Sequence, residues 1–261
     1  MTLTKTPQGE DLEVVSKNLT DLKLKHWQSV LSTDLEGLMP ESRKLILSHL
    51  AKATRLELSE RHTQSINWRI ECAKFIRVQS IDQYDFDYNA STKEIKSGCI
   101  KLHDKIRDGH IPRAVFVGTT SLGKTHLARS LGLAACQAEI SVLFTKAAQI
   151  VNALATAKAT HTLDRELKKY LKPQLLIIDE LGYVTMDLEA SNLFFQVVSE
   201  RHDRGLGTIV TTNFPFGHWN QIFASDSTAV VIVERLTAEA DVFYLEGDSF
   251  TQHKRKNKSK K

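Results

Sequence analysis

Cysteine is scarce in this sequence, which has three in 261 residues: Cys72, Cys99 and Cys136. They lie far apart and none belongs to a C-x-x-C pair. This spacing fits neither a disulfide framework nor a zinc site, and it favours a reducing compartment such as the cytoplasm. The ten histidines also lack a spacing such as H-E-x-x-H, so we assign none of them to a metal.

Long apolar runs are missing as well. No stretch approaches the length of a membrane span and the N-terminus lacks a signal-peptide pattern, so we expect no membrane association. The net charge is only +4, but segment 254–261 carries six basic side chains and no acid. We expect residues 251–261 to be a disordered tail attracted to polyanions, with a merely solubilising tail as an equal alternative.

Glycine is nearly absent from the first 95 residues, which have a helical pattern. Leu12, Val15, Leu19 and Leu22 follow the three- and four-residue spacing of one helix face. A second helix is predicted to begin near Pro40. Its predicted buried positions are Leu45, Leu47, Leu50, Leu56 and Leu58. We therefore assign residues 1–80 to an all-helical domain for partner or DNA interaction.

Basic residues alternate with aromatic ones between Arg61 and Arg77, around Trp68 and Phe75. Such a mixture can form a DNA-binding or partner-binding face. For each residue taken singly we favour the alternative, an exposed charged helix face with the aromatic side chains in the core.

Strands alternate with helices from Ala114 onward, which predicts an α/β domain over residues 81–250. The apolar strands should form a parallel sheet covered by helices on both faces. Ligands of such open sheets bind at the carboxyl ends of the strands. The residues that follow each predicted strand are therefore the candidate site.

A phosphate-binding loop is predicted between the first strand and the next helix. Residues 118–125 have the form G-x-x-x-x-G-K-T, with an apolar run before and an amphipathic segment after. Main-chain N–H groups of such a loop converge on an anion, so we predict a bound nucleoside triphosphate. Lys124 should reach the β- and γ-phosphates, and Thr125 should ligate Mg²⁺. The predicted nucleotide contacts are Gly118, Thr119, Thr120, Ser121, Leu122, Gly123, Lys124, Thr125 and His126.

Polar residues end two further strands. Asp179 and Glu180 follow four aliphatic residues, downstream of the phosphate loop. Asp179 is expected to hold Mg²⁺, and Glu180 to orient and deprotonate the attacking water. Asn213 ends a later strand, where its amide could bind the γ-phosphate or that water. A lone asparagine after a strand is more often a turn residue, so this role depends on the other two sites.

Short motifs give the chain a resemblance to a known family. They are the phosphate loop followed by His-Leu-Ala, Leu-Ile-Ile-Asp-Glu-Leu-Gly-Tyr at 176–183, Asn-Phe-Pro-Phe-Gly-His-Trp at 213–219, Ile-Val-Glu-Arg-Leu at 232–236 and Gly-Asp-Ser-Phe at 247–250. From about Leu22 to Phe250 the chain resembles IstB, the ATPase helpers encoded beside the transposase in one group of bacterial insertion sequences. DnaC-type helicase loaders share this core within the initiator branch of AAA+ ATPases.

The resemblance implies an AAA+ P-loop NTPase with a central parallel sheet, an N-terminal all-helical domain, and ATP and Mg²⁺ as cofactors. It assigns Lys124 and Thr125 to Walker A, Asp179 and Glu180 to Walker B, and Asn213 to sensor 1. Arg235 matches an arginine finger that a neighbouring subunit supplies; from the residues alone it would be a surface arginine on a helix. Arg201 and Arg204 are weaker finger candidates, since a position near a helix C-terminus also explains them.

The resemblance further implies a bacterial cytoplasmic ATPase that self-assembles on double-stranded DNA and regulates or recruits a cognate transposase. Lys168 and Lys169 lie where initiator-type ATPases carry an extra DNA-contacting helix. Contacts of this kind to phosphates would be independent of sequence and sensitive to salt. Two alternatives remain: a DnaC-type loader of a replicative helicase, and an ATP-binding adaptor that does not hydrolyse.

Two positions depart from the family pattern. Ser121 stands where related loops usually have glycine, and serine costs stability there if the position needs a positive φ. Nucleotide affinity would then be reduced. Thr251 stands where family members usually have arginine, which leaves a C-terminal contact to phosphate or DNA in doubt.

Overall fold

The computed structural model describes residues 7–247, with side chains at all of these positions except 7–11 and Ser32. The chain forms two compact units, Met1–Asn67 and Trp68–Lys261. The boundary after residue 80 and the roles assigned to the two domains stay predictions. The basic tail 251–261 and Thr251 lie outside the described residues.

The first unit is helical. Its helices are α1 (Pro7–Asp21), α2 (Lys25–Asp34) and most of α3 (Pro40–Cys72). Buried residues in its core are Val15, Leu19, Leu35, Leu47 and Ala51. Within this core the Asn18 amide donates a hydrogen bond of 2.9 Å to the Thr54 hydroxyl, so a buried polar pair is satisfied.

Two of the leucines predicted to be buried on α3 are exposed. Leu45 and Leu56 have 61% and 63% of their surface accessible. Leu47, Ala51 and Thr54 define the buried face of this helix. Leu45 and Leu56 each stand two positions from that set, and therefore on the opposite side of the helix.

The second unit is an α/β structure. Its helices are α4 (Ala90–Arg107), α5 (Lys124–Gln137), α6 (Ala147–Ala159), α7 (Leu163–Leu171), α8 (Leu188–Asp203) and α9 (Asp226–Thr237). Its strands are β1 (Ala114–Gly118), β2 (Val142–Lys146), β3 (Leu175–Leu181), β4 (Gly207–Thr212) and β5 (Asp241–Leu245). Short 3₁₀ helices occupy Ile81–Gln83 and Phe216–Gln221.

The five strands form one parallel sheet in the order β2-β3-β4-β1-β5. Both of its faces are covered, because successive strand residues enter different cores: Phe116 packs with α4 and α5, and Val115 packs with α6 to α9. The parallel α/β sheet and the helical N-terminal region were both predicted, and they are confirmed.

One irregularity of the sheet lies at a candidate catalytic residue. The pairing of β3 with β4 shifts register between Ile178 and Leu181. Glu180, inside this bulge, has φ = +60°. Bulges re-aim side chains, and this one lies at the carboxyl ends of the strands.

Among residues 7–247, none of the helices combines the length and apolarity that a bilayer span requires.

Candidate nucleotide site

The loop between β1 and α5 needs glycine at two positions. A Cβ on Gly118 would lie 2.1 Å from the Leu245 carbonyl oxygen of β5. Gly123 has φ = +85°, and a Cβ there would lie 2.4 Å from the Tyr84 ring. No side chain fits at either place, so the first and second glycines of the motif are fixed by packing as well as by conformation.

Ser121 occupies the left-handed region of backbone conformation, with φ = +63°. The sequence analysis expects serine to cost stability here if the position needs a positive φ, and the structure shows that φ is positive. A left-handed conformation costs a residue with a Cβ about 1–2 kcal/mol. The loop consequently stores strain at the position where the family resemblance predicts glycine.

Replacing Ser121 by glycine should raise the free energy of unfolding by about 0.5–1 kcal/mol, because relief of the strain exceeds the extra chain entropy of glycine. ATP affinity should rise with it. Urea denaturation and titration with a fluorescent ATP analogue measure the two effects. The matched control, Ser227→Gly at the start of α9, should instead lower stability. Equal or lower stability of the Ser121→Gly protein would contradict the assigned strain.

Lys124, the first residue of α5, is folded back on its own loop. Its Nζ donates hydrogen bonds of 2.7 Å to the carbonyl oxygens of Gly118 and Thr119. Burial lowers the pKa of Lys124 to about 8, although nearby Asp179 opposes the shift. A bound phosphate would supply further negative charge to this half-buried ammonium.

Thr125 and Asp179 are in direct contact. The Thr125 hydroxyl donates to the Asp179 carboxylate at 2.8 Å, and the Thr211 hydroxyl donates to the same oxygen at 2.6 Å. Asp179 is 1% exposed. Thr211 also accepts a hydrogen bond of 3.0 Å from the main-chain N–H of Glu180. This arrangement fixes the carboxylate beside the start of α5.

Glu180 is held by a residue that the sequence did not single out. Lys146, at the end of β2, places its Nζ 2.8 Å from a carboxylate oxygen of Glu180. The hydrogen bond to Glu180 raises the pKa of Lys146. Lys146 also pairs in register with Asp179, the neighbour of Glu180 on β3. The candidate base is therefore tied to a neighbouring strand end.

These groups surround a cleft of about 280 Å³ at the carboxyl ends of the strands. Its lining residues are Thr120, Ser121, Gly123, Lys124, Thr125, Glu180, Tyr183, Thr211, Thr212 and Asn213. The Asn213 side-chain oxygen is buried and, among the described residues, has no hydrogen-bond partner. A buried oxygen without a partner in the wall of a cleft is expected of a side chain that hydrogen-bonds to a bound ligand. Tyr183 and Thr212 line the cleft without having been predicted as site residues.

Four predicted nucleotide contacts, Gly118, Thr119, Leu122 and His126, lie outside the lining of this cleft. Leu122 is fully buried, and its carbonyl oxygen accepts hydrogen bonds from the hydroxyls of Tyr84 and Tyr88 at 2.7 and 3.0 Å. A ring nitrogen of His126 lies 2.9 Å from the Ser80 carbonyl oxygen. The segment around Tyr84 therefore braces the phosphate loop.

Arg235 lies outside its own cleft. Its guanidinium donates to Asp203 at 2.8 Å, across α9 and α8. Arg201 is fully buried, and it donates to the carbonyl oxygens of Tyr170, Pro173, Gln174 and Gly207 and to the Thr208 hydroxyl. Arg201 cannot reach a neighbouring subunit from there. Arg204 is an exposed partner of Glu200.

Lys168 and Lys169 are both exposed on α7. Lys169 is paired with Glu166 one helical turn away. The structure therefore places both lysines at the surface, where a polyanion could reach them. Their role in DNA binding stays a prediction.

The residues present fit ATP and Mg²⁺. The hydroxyl of Thr125 and the carboxylate of Asp179 are hard oxygen donors of the kind that Mg²⁺ prefers. The loop supplies main-chain N–H groups, the start of α5 and the half-buried Lys124 ammonium to a triphosphate. Lys124, Thr125 and Asp179 would hold these groups.

The parallel sheet and this loop define a P-loop nucleotide-binding protein. Several solved structures share this fold. They include the DnaC helicase loader (TM-score 0.54, 18% identity, 64% of this chain and 96% of that one). Another is AMPPCP-bound DnaA from Aquifex aeolicus (TM-score 0.55, 15% identity, covering 69% of this chain and 54% of that one).

Within that class the chain belongs to the family described as IstB-like ATP binding protein, whose model matches residues 18–260. One relative, from Bacillus thuringiensis subsp. berliner, is named as an ATP-binding protein of insertion sequence IS232. It is 32% identical over 237 residues, which cover 90% of this chain and 93% of the relative. An IS21 ATP-binding protein from Pseudomonas aeruginosa is 29% identical over 92% of this chain and 88% of its own length.

Proposed function

We propose that this protein is an ATPase that assembles on duplex DNA when ATP is bound and regulates or recruits a transposase. The observation that carries the ATPase is the convergence of Lys124, Thr125, Asp179, Glu180 and Asn213 at one edge of the sheet. The transposition role rests on membership of the IstB-like family and on relatives named for insertion sequences.

Each side chain has a task in hydrolysis. Lys124 binds the phosphates, and Thr125 with Asp179 holds the cation, which offsets phosphate charge when bound. Glu180 orients the attacking water and accepts its proton, with one of its two carboxylate oxygens paired to Lys146. The unpartnered oxygen of Asn213 accepts a hydrogen bond from the same water.

Arg235 acts in the site of a neighbouring subunit in this proposal. It stands outside its own cleft, and in the part of the chain that the structure describes its one ion pair is with Asp203, at a partly exposed position. Such pairs contribute little to stability. The guanidinium can therefore leave Asp203 and bind a phosphate of the ATP that a second subunit holds. ATP bound between two subunits would then couple assembly to hydrolysis.

Arg235→Ala should lower the hydrolysis rate of assembled protein by about 10³-fold, the lower range for a finger arginine. Arg204→Ala is the matched control, since Arg204 is also an exposed, paired arginine of this region. A 1:1 mixture of Arg235→Ala with Glu180→Gln should regain activity at roughly a quarter of the sites, as random assembly of a trans site requires. Absence of any regained activity would show that Arg235 does not act in trans.

The assembly itself is tested with duplex DNA in ATP and in ADP. Sedimentation should show a large nucleoprotein complex with ATP that is lost with ADP and weakens as salt is raised, because phosphate contacts release counterions. Lys168→Glu with Lys169→Glu should weaken it. No ATP-dependent complex would contradict the proposal, and stable co-purification with a hexameric helicase instead of a transposase would favour the loader alternative.

A further inference from the structure

Two tyrosine hydroxyls meet at one carbonyl oxygen of the phosphate loop. Tyr84 and Tyr88, the tyrosine pair, donate hydrogen bonds of 2.7 and 3.0 Å to the carbonyl oxygen of Leu122, and all three residues are buried. Within residues 7–247 this oxygen accepts from no main-chain N–H group. Burial raises the pKa of both tyrosines, so both hydroxyls keep their protons at neutral pH. The pair therefore satisfies a buried acceptor of the loop.

The tyrosine pair sets the orientation of the peptide that joins Leu122 to Gly123. A trans peptide is planar, and its C=O and N–H bonds point to opposite sides. Because the carbonyl oxygen of Leu122 faces the two hydroxyls, the N–H of Gly123 points away from them. Gly123 lines the nucleotide cleft, and in the part of the chain that the structure describes its N–H has no acceptor. This N–H is a donor available to a phosphate oxygen.

The tyrosine pair is itself held by its surroundings. The Tyr84 ring packs edge-on against Phe86, with 4.6 Å between the ring centroids, and against His126 of α5 at 5.4 Å. His126 is bound in turn to the Ser80 carbonyl oxygen, which fixes the start of the segment that carries both tyrosines. Side chains locked by such packing can hold a site in one geometry. The hydroxyls are thus in place before a ligand binds.

Ser121, the residue before Leu122, gives a reason for this support. Its φ of +63° is costly for a residue with a Cβ. A strained residue keeps its conformation only when the surrounding structure holds it there. The two hydrogen bonds act on the next residue of the chain, so they oppose a relaxation of the loop that would turn the Leu122 carbonyl group.

We propose that Tyr84 and Tyr88 are positioning residues of the nucleotide site, which hold the loop against the strain at Ser121 and aim the Gly123 N–H at a phosphate of the bound nucleotide. They act through the Leu122 carbonyl group and do not touch the nucleotide. The pair therefore contributes to the affinity for the phosphate chain and leaves the hydrolytic step to Glu180. The inference rests on the nucleotide binding that the proposed function requires, but not on hydrolysis or on DNA.

Binding is measured by titrating the full chain with a fluorescent ATP analogue that cannot be hydrolysed. Tyr84→Phe and Tyr88→Phe each keep the ring and remove one donor, so each should raise the Kd about two- to tenfold, the range of one hydrogen bond. The double variant should raise it by about tenfold or more. A double variant with the Kd of the wild type would overturn the proposal.

Tyr170→Phe is the matched control. Tyr170 is also buried, and its hydroxyl donates to Glu166 within α7, outside the lining of the nucleotide cleft. This variant should bind the analogue like the wild type. Urea denaturation checks that every variant is folded in the assay, and the single variants carry the test if the double variant is not. A rise in Kd for Tyr170→Phe equal to that of the pair would contradict the positioning role.

Inorganic triphosphate, which lacks the base and the sugar, is then used to compete with the analogue. Because the pair acts on a phosphate-binding peptide, the double variant should lose the same factor in affinity for triphosphate as for the analogue. A loss for the analogue alone would overturn the proposal, since the tyrosines would then act on the base or the sugar.

The link to Ser121 is tested by adding Ser121→Gly to the double variant. Glycine adopts a positive φ without strain, so removal of the hydroxyls should raise the Kd by a smaller factor in this background. Equal factors in the two backgrounds would overturn the link.

Steady-state hydrolysis separates this inference from the proposed function. The KM of the double variant should rise with its Kd, while kcat stays within about twofold of the wild type, as expected for a loss of binding alone. A fall in kcat as large as the rise in Kd would contradict the positioning role. A wild type that binds the analogue without hydrolysing ATP would refute the ATPase proposal and leave the role of the tyrosine pair in place.

Discussion

A Glu180→Gln protein should bind ATP like the wild type and hydrolyse it about 10²–10⁴-fold more slowly, the range for loss of a general base. The amide keeps the shape of the side chain but cannot accept a proton. Binding should persist because the phosphate contacts come from the loop and from Lys124 on another segment. Single-turnover hydrolysis and titration with a fluorescent ATP analogue separate the two effects.

Glu94→Gln is the matched control for this experiment. Glu94 is an exposed glutamate on α4, outside the lining of the nucleotide cleft, so its replacement should change neither quantity. Hydrolysis by the Glu180→Gln protein at the wild-type rate would reject Glu180 as the base. A wild-type protein that assembles on DNA without hydrolysing ATP would support the adaptor alternative. If the wild type hydrolyses ATP, the Glu180→Gln protein should also accumulate as the ATP-bound assembly.

The largest loss of stability is expected for Arg201→Leu, which should lower the free energy of unfolding by about 3–5 kcal/mol. Arg201 is 1% exposed and donates to four main-chain carbonyl oxygens around the ends of α7, β3 and β4. Leucine would remove these donors: Gln174 would keep only the main-chain N–H of Gly207, and the buried carbonyl oxygen of Tyr170 would lose the guanidinium. Burial lowers the pKa of Arg201 to about 9, so the group is still protonated at neutral pH.

Urea denaturation of the full chain measures this loss. Arg204→Leu, three residues later and exposed, should stay within about 0.5 kcal/mol of the wild type. Arg201→Lys keeps the charge but has fewer N–H donors, so its free energy of unfolding should lie between those of the wild type and Arg201→Leu. This variant can still be measured if the leucine variant does not fold. A loss below about 1 kcal/mol for Arg201→Leu would mean that water replaces the guanidinium.

The sequence could predict the phosphate loop and the acidic strand end because both are local patterns. Lys124 and Thr125 are defined by one short motif, and Asp179 and Glu180 by their place after a buried strand. Parallel strands bring their carboxyl ends to one edge, so the proximity of Thr125 to Asp179 follows from topology. The observed 2.8 Å hydrogen bond agrees with this reasoning.

Other expectations failed where the outcome depends on which helix face meets a neighbour. Trp68 was expected in the core, but it is 63% exposed, whereas Phe75 packs against the core. Arg201 and Arg204 read alike as basic residues at a helix end, yet one is buried and the other is at the surface. Periodicity gives the faces of a helix and leaves open which of them is covered.

The sequence by itself determined the fold class, the nucleotide-binding loop and the acidic pair, because each depends on a run of neighbouring residues and their conformational preferences. Only the tertiary structure showed that Lys146 holds Glu180, that Tyr84 and Tyr88 brace the loop at Leu122, and that Arg201 joins three elements. Apart from the bonds of Arg201 to Gly207 and Thr208, these contacts join residues more than 25 positions apart in the chain. Such pairs become neighbours only when the sheet and its helices have packed.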